Sequence, residues 1–311
     1  MIKFILRRIF LQTLPALFLT VTVAFFLIRL APGGPFSSEK NISPEVIKQL
    51  NSHYGLDKPL LIQYFDYLKN ICRGDLGPSF KYPGRTVAEL IAEGFPVSVE
   101  LGTYALLFSL LAGILAGLLA ASKPGSARDF VSMILSTSGI CIPSFVLGPL
   151  LVLLFGLKLG LVNVSGWNSM SDRLLPSFTL GMVYVAYIAR LTRAGLLETM
   201  VQDYIRTARA KGIPERVVML RHALRGALLP VVSFLGPAAA GLITGSFVVE
   251  TIFSIPGLGR FFITAAFNRD YTMIMGTVVF YAAVIIFFNT IVDITLAILD
   301  PRLRSRLNEK T

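Results

Sequence analysis

The 311-residue sequence has few of the residues that build enzyme sites and disulfide frameworks. It contains two histidines, two cysteines and one tryptophan, and only 15% of its residues are charged. Cys72 lies in a polar stretch and Cys141 in an apolar one, so no disulfide framework is predicted. The H-E-x-x-H pattern of zinc proteases and the phosphate-binding loop G-x-x-x-x-G-K-[ST] are both missing. We therefore expect no catalytic residue, no metal site and no cofactor bound by this chain.

Apolar residues are abundant and are concentrated in long runs. At 54% hydrophobic residues, the chain has too little polar surface to close a soluble globule of this size. A helix needs about 20 mostly apolar residues to cross the hydrocarbon core. Six segments meet this length, namely residues 9–30, 97–121, 130–157, 174–196, 229–253 and 276–299. Their hydrophobicity is continuous and does not alternate as in a transmembrane β-barrel. An all-α membrane protein with six transmembrane helices is predicted.

The distribution of positive charge predicts the orientation of these helices. With a cytoplasmic N-terminus, 17 of the 29 Lys and Arg residues fall on the inner side. Most of the others lie in a long loop, where positive charges contribute little to the prediction of orientation. Both termini are therefore expected in the cytoplasm, and the first apolar run is expected to be retained as an anchor. The net charge of +11 reflects this bias, and no soluble basic domain indicates binding to nucleic acid.

The long loop of residues 31–96 is expected outside the membrane and to contain short helices. Ser43, Pro44 and Glu45 form a helix start. Thr86 and Glu89 form a capping box before an apolar run. The favoured interpretation is that these helices only cover the outer mouth of the helix bundle. The alternative is a landing surface for a receptor.

Small residues and prolines inside the apolar runs indicate how the helices pack. Two glycine pairs have G-x-x-x-G spacing, which allows close helix contact: Gly113 with Gly117, and Gly241 with Gly245. Contact within one subunit is favoured over a subunit interface. Pro143 and Pro149 predict a bent helix in the third run.

Two acidic residues in or beside the apolar runs, Glu250 and Asp293, are candidates for functional sites, because a charge that faces lipid is unfavourable. The favoured interpretation of Glu250 is a structural carboxylate that caps backbone amides or pairs with Arg260. Asp293 can pair with an arginine of the basic C-terminal tail. A position of either acid along a transport path is the alternative. No chain of ionisable residues indicates a proton relay.

A polar, arginine-rich segment, residues 197–228, interrupts the apolar runs. Asp203 can cap a short helix that continues through Lys211, Gly212 can end this helix, and Pro214 can open a second one. Two short helices joined by a tight turn form a rigid projection, whereas a flexible linker would be richer in Ser, Gly and Pro. A rigid projection can transmit a displacement to the membrane helices.

The segment from Asp203 to Gly212, DYIRTARAKG, resembles the cytoplasmic coupling motif of ABC-importer permeases of the dipeptide, oligopeptide and nickel branch. The general motif of these permeases has Glu-Ala-Ala where this chain has Arg206-Thr207-Ala208, a form that is usual in the peptide and nickel branch. The resemblance covers essentially the whole chain, through FILRR at 4–8, RLAPGGPF at 29–36, GDLGPSFKY at 74–82, ETIFSIPGLG at 250–259, NRDY at 268–271 and DPRLR at 300–304. Within this branch, the chain is most similar to the oligopeptide permease B subunits.

This resemblance implies the fold of a type I importer permease in the bacterial cytoplasmic membrane, and uptake of oligopeptides. It also implies which residues dock on an ATPase subunit: Asp203, Tyr204, Ile205, Arg206, Thr207, Ala208, Arg209, Ala210, Lys211 and Gly212. Four further residues are expected to support the hairpin: Arg221, His222, Arg225 and Pro230.

The resemblance also implies partners. These are a second homologous permease, two ATP-binding subunits in which ATP and Mg bind, an extracytoplasmic peptide-binding protein, a peptide substrate and membrane lipid. The peptide path is expected between the two permeases. Dipeptides, nickel chelates or glutathione are alternative cargoes. An ion-coupled secondary transporter is disfavoured because the sequence has no internal repeat.

Overall fold

The structure, a computed structural model, describes residues 11, 13–30, 34–36 and 43–299. Within these residues the fold is helical, with one isolated β-bridge between Pro78 and Thr86 and no strand. The chain divides into two compact units. The first unit comprises residues 1–96 and 257–284, and the second comprises residues 97–256 and 285–311.

The first unit contains helices α1 (Leu14–Leu30), α2 (Pro44–His53), α3 (Leu60–Cys72) and α12 (Leu258–Asn268). It also contains the start of α4 (Val87–Ser122) and the start of α13 (Tyr271–Leu299). Two apolar clusters hold it together. Val21, Phe25, Tyr64 and Met275 form one of them, and Val87 and Met273 belong to the other.

Local signals place the helix starts in this unit. The hydroxyl of Ser43 accepts a hydrogen bond from the amide of Val46 at 3.5 Å, as expected for a capping residue. The capping box at the start of α4 is present, because Glu89 accepts from the amide of Thr86 (3.1 Å) and Thr86 Oγ1 accepts from the amide of Glu89 (3.2 Å). The helix that this box opens does not stop at Pro96 but continues to Ser122. The last ten residues of the predicted 31–96 loop are therefore helical.

The second unit contains the remaining helices. In chain order they are α5 (Ala127–Cys141), α6 (Ser144–Leu151) with a π-helical continuation (Val152–Lys158), a 3₁₀ turn (Met170–Arg173), α7 (Leu174–Thr199), α8 (Asp203–Ala210), α9 (residues 215–227), α10 (Leu229–Ile243) and α11 (Phe247–Ile252). One of its buried clusters includes Leu101 and Leu175 together with Val249 and Phe253.

The apolar helices agree with the predicted membrane class. Four stretches within the described residues are long and apolar enough to cross a membrane: Val87–Ser122, Met170–Thr199, Leu229–Ile252 and Tyr271–Val292. The pair formed by α5 and α6 qualifies when taken together, and α1 is shorter, with 17 residues. The all-α membrane fold is confirmed. The count of six spans and the cytoplasmic termini stay predictions, since residues 1–10 and 300–311 lie outside the described part.

The bend predicted in the third span is a sharp break between two helices. The two parts, Ala127–Cys141 and Ser144–Lys158, meet at an angle of 106°. Pro143 precedes the second part and has extended backbone torsions (φ −58°, ψ 142°). Because the proline ring disfavours the helical conformation of the preceding residue, the first part ends at Cys141. Pro149 lies inside α6 and does not end it.

The first glycine pair packs two spans together within the chain. A Cβ atom on Gly113 would lie 2.7 Å from Cβ of Ile188, and one on Gly117 would lie 2.5 Å from Cβ of Thr192. Both contacts are with α7, which supports the contact predicted within one subunit. Only one member of the second pair lies within a helix. A Cβ atom on Gly241 would lie 2.7 Å from the hydroxyl oxygen of Tyr184 in α7, whereas Gly245, with φ +87°, follows the end of α10.

Candidate functional site

The arginine-rich segment folds as a helical hairpin in the second unit. Helix α8 (Asp203–Ala210) is followed by a turn in which Gly212 has φ +72°, a conformation that favours glycine. Helix α9 then begins at Glu215, after Pro214 with φ −58°. The prediction for Asp203 was wrong in one respect. Asp203 is the first residue of α8, the N-cap position belongs to Gln202, and the side chain of Gln202 makes no capping hydrogen bond.

An apolar face fixes the hairpin to the membrane helices. Ile205, Val218 and Ala227 are fully buried. They belong to one cluster with Ala121 at the end of α4 and Leu196 near the end of α7. The hairpin therefore rests on the ends of two spans instead of projecting freely.

Arg209 joins the two arms of the hairpin. Its Nη2 and Nε donate to the two carboxylate oxygens of Glu215 at 2.6 and 3.1 Å, and its Nη1 donates to the backbone carbonyl of Met200 at 3.3 Å. The hydrogen bonds from Arg209 hold the pKa of the Glu215 carboxyl below its usual range. In turn, Glu215 raises the pKa of Arg209. Two-point pairing fixes the angle between the arms as well as their distance.

The opposite face of α8 is polar and exposed. The side chain of Arg206 is 72% exposed, and its ion pair with Asp203 has a length of 3.4 Å. Four further residues of this face are exposed: Thr207, Ala210, Lys211 and Gly212. Tyr204 is half exposed, and a Cβ atom on Gly226 of α9 would lie 3.4 Å from its hydroxyl oxygen. This surface therefore contains cationic and small side chains. The buried face of the hairpin holds their backbone in place.

The expected supporting residues lie on and after α9. Arg221 and Arg225 are exposed, and His222 is partly buried. Neither arginine forms an ion pair with a residue in the described part of the chain. Pro230 is the second residue of α10, so the fifth apolar run begins where it was predicted to begin. Within α9, Val218–Ala223 has the wider turn of a π-helix.

A further ion pair, which the sequence reasoning missed, lies at the start of α5. Arg193 of α7 donates from Nε and Nη2 to the two carboxylate oxygens of Asp129, at 2.7 and 2.8 Å. Asp129 is 6% exposed and also accepts from the amide of Gly125 at 2.9 Å. The only local signal was Ser126, which caps α5 and places Asp129 in its first turn. Arg193 lies 64 positions further along the chain.

Of the two acidic candidates, only Glu250 has a described side chain. Glu250 is fully buried in α11 and accepts a hydrogen bond from Ser98 Oγ at 2.9 Å. The favoured role of Glu250, capping backbone amides or pairing with Arg260, stays a prediction. The side chain of Asp293 lies outside the described part. A place for either acid on a transport path stays a prediction.

Comparisons with known proteins agree with the helical membrane fold. A model of the family "Binding-protein-dependent transport system inner membrane component" matches residues 113–305, which include the whole hairpin. A second model, for the N-terminal part of such membrane components, matches residues 1–102. The chain belongs to this family. It is thus a membrane component of a binding-protein-dependent transport system, as the resemblance predicted.

Individual relatives cover almost the full length of this inner membrane component. It is 46% identical over 306 residues to the oligopeptide transport system permease protein OppB of Escherichia coli K12, covering 98% of this chain and all of the relative. It is 41% identical over 304 residues to the dipeptide transport system permease protein DppB of Bacillus subtilis 168, covering 98% of both chains.

A solved structure has a similar fold. A chain of the inward-facing MetNI methionine ABC transporter superposes with a TM-score of 0.55 at 17% identity, covering 68% of this chain and 97% of that one. The similarity agrees with the predicted fold of an ABC-importer permease.

Proposed function

We propose that the chain is the membrane permease subunit of an ATP-driven importer that takes up oligopeptides. The observation that carries this proposal is the 46% identity to an oligopeptide permease along 98% of the chain. The dipeptide permease is less similar, at 41% identity, so dipeptides are the second candidate cargo. Neither of these two relatives is named for nickel chelates or glutathione, so those cargoes rank below peptides.

The hairpin is proposed to couple this permease to its ATPase. Its exposed face, residues 203–212, carries Arg206 and Lys211, and its buried face rests on α4 and α7. A force applied to α8 would therefore reach two membrane helices directly. The clamp between Arg209 and Glu215 supports the same role, because a hairpin that yields at its turn would absorb the displacement instead of transmitting it.

The complete machine is proposed to contain this chain, a second homologous permease, two ATPases and an extracytoplasmic peptide-binding protein. ATP and Mg are assigned to the ATPases. The chain's own contribution is half of the path and one coupling hairpin. Arg221 and Arg225 are proposed to contact lipid headgroups or to brace the hairpin, since both are exposed cations beside the apolar helices.

Gly212→Pro tests the coupling role. Proline requires φ near −65°, whereas Gly212 has φ +72° and its amide donates to the carbonyl of Arg209 at 2.9 Å. We expect normal membrane insertion and loss of uptake. The measurement is ATP-dependent uptake of a labelled peptide by the assembled complex, with mass spectrometry of the subunits that co-purify.

Gly160→Pro is the matched control. Gly160 also has a positive φ (+61°) and open space around it, but it lies in the turn after residue 158, far along the chain from the hairpin. We expect this variant to transport and to retain its ATPases. Normal uptake by Gly212→Pro would show that the hairpin is not the coupling element.

A further inference from the structure

A cavity of about 360 Å³ lies within the first unit, among α1, α2, α3 and residues 75–80. Its volume is within the range of small-molecule sites. Several lining residues are exposed at its mouth, including His53, Lys58 and Asp66. Arg29 and Tyr67, which are partly buried, also line it. Neither the coupling hairpin nor the family membership assigns a role to this cavity.

Arg29 has unused hydrogen-bonding capacity. Its Nε donates to Oε1 of Gln63 at 2.8 Å, and no residue in the described part accepts from its two terminal nitrogens. The guanidinium group lies over the ring of Phe25, 4.0 Å from the centroid, which holds the side chain in one orientation. A half-buried guanidinium whose two terminal nitrogens have no acceptor among the described residues is suited to a planar carboxylate.

Tyr67 supplies a second unused donor. Its hydroxyl oxygen is buried and has no hydrogen-bond partner among the described residues. Burial raises the pKa of Tyr67, an effect that the charge of Arg29 opposes, so the hydroxyl keeps its proton and can donate. A buried hydroxyl without a partner is unfavourable. A ligand oxygen that reached it would remove this penalty.

One part of the cavity wall is aromatic and well anchored. The rings of Tyr54 and Phe80 are 4.6 Å apart. Asp270 holds the Phe80 segment through hydrogen bonds from Ser79 Oγ and from the amides of Phe80 and Lys81, the latter two at 3.2 and 3.3 Å. The aromatic wall is therefore fixed before any ligand arrives.

Acidic residues at the cavity restrict the kind of ligand. Asp66 forms an ion pair with Lys58 at 3.0 Å, and Asp75 accepts from the amide of Gly77 at 2.8 Å through one of its oxygens. Because Lys58 balances the charge of Asp66, Asp75 is the carboxylate that would repel an acidic protein surface and attract an ammonium group. A molecule with a carboxylate at one end, an ammonium at the other and an apolar side chain fits all three parts of the cavity.

We propose that this external cavity binds the C-terminal carboxylate of a free peptide, with Arg29 and Tyr67 as donors and the ring pair beside the terminal side chain. The assignment rests on the proposed peptide import, and it adds a site on the permease itself that a peptide meets outside the membrane.

The test is calorimetric titration of the purified full-length chain with trialanine and with trialaninamide, which lacks the negative charge. We expect trialanine to bind at least about tenfold more tightly than the amide, as a charge-assisted hydrogen bond would give. Arg29→Gln should remove this preference. Arg73→Gln, an exposed arginine at the end of α3 that does not line the cavity, should leave it unchanged.

Tyr67→Phe provides a variant whose folding is not at risk. It should weaken trialanine binding several-fold and leave the melting temperature of the ligand-free protein unchanged or raised, because the lost hydroxyl has no partner among the described residues. A purely structural tyrosine would not affect the titration. If Arg29→Gln fails to fold, this variant decides the question alone.

Three results would overturn the proposal: no trialanine binding at millimolar concentration, equal binding of trialanine and its amide, or no effect of Tyr67→Phe and Arg29→Gln. If trialanine does not bind but the purified peptide-binding protein loses affinity for Arg29→Gln, the carboxylate belongs to that protein and the peptide assignment is wrong. Uptake is not part of this test. Failure of peptide import with intact trialanine binding would instead contradict the proposed function.

Discussion

The arginine-rich hairpin and the cavity of the first unit use their arginines in opposite ways. In the hairpin, all three groups of donors on Arg209 are used, by Glu215 and by the Met200 carbonyl. In the cavity, only Nε of Arg29 has a partner among the described residues. An arginine whose three nitrogens all donate hydrogen bonds within the protein fixes the position of backbone elements relative to each other. A half-buried arginine with donors that no described residue uses indicates a position where a ligand can accept the remaining hydrogen bonds.

The largest effect is expected where a two-point ion pair involves a buried carboxylate. Asp129→Asn would leave Arg193 without its negative partner, at a position whose side chain is 8% exposed. Removing one partner of a buried ion pair is strongly destabilising, so we expect the melting temperature to fall by several degrees. Thermal unfolding in detergent measures this change.

Asp203→Asn is the control for that substitution. Its carboxylate is 96% exposed and pairs with Arg206 at 3.4 Å. We expect its effect on stability to be within about 0.5 kcal/mol. Equal destabilisation by both substitutions would mean that burial does not decide the contribution of these pairs.

An intermediate effect is expected from Arg209→Gln. The pair with Glu215 is exposed, so global stability should change little. Amide hydrogen exchange within residues 203–212 should nevertheless accelerate, because the substitution removes the connection between the two arms. Peptide uptake should fall with it. Arg206→Gln, whose ion pair lies within α8, should change neither exchange nor hairpin geometry.

The smallest effect on the hairpin is expected from a change in pH. Arg209 lowers the pKa of Glu215, so the clamp is complete above the ordinary pKa of glutamate, about 4.3, and is lost as the pH falls through the lowered value. At neutral pH the clamp is therefore insensitive to small changes. Exchange of residues 203–212, corrected for the intrinsic rate, should stay constant from pH 7 to about pH 5. In the Glu215→Gln variant, amide hydrogen exchange of these residues should be faster over the whole range and equally independent of pH.

Much of this fold could be predicted from apolar runs and turn residues. The hairpin turn follows from Gly212, whose φ of +72° suits glycine, and the start of α9 follows from Pro214. These signals work because they depend on a few neighbouring residues. The start of α4 was harder, because Pro96 suggested a boundary. The helical turns before this proline bury Val87 and Leu90, and that packing keeps the segment helical.

Long-range pairings could not be predicted. Arg193 was counted only as a positive charge on the inner side, and nothing near it in the sequence identifies Asp129 as its partner. The donors of Arg29 and Tyr67 that have no acceptor among the described residues could not be predicted either, because a sequence does not show which contacts form in the fold. Glu250 was recognised as a candidate since a single acid after an apolar run is conspicuous, but its partner Ser98 lies 152 positions earlier.

The π-helical stretch of α9, Val218–Ala223, determines which deletions this arm can accept. A π turn contains about one residue more than an α-helical turn. Removing one residue from the stretch would therefore let α9 continue as a regular helix with its two ends in nearly the same rotation. Removing one residue from the α-helical part, Leu224–Ala227, would instead rotate the preceding residues by about 100° relative to α10. This second deletion would turn a different face of the hairpin outward and is expected to insert and fold yet to lose uptake, whereas the deletion in the π-helical stretch should be tolerated.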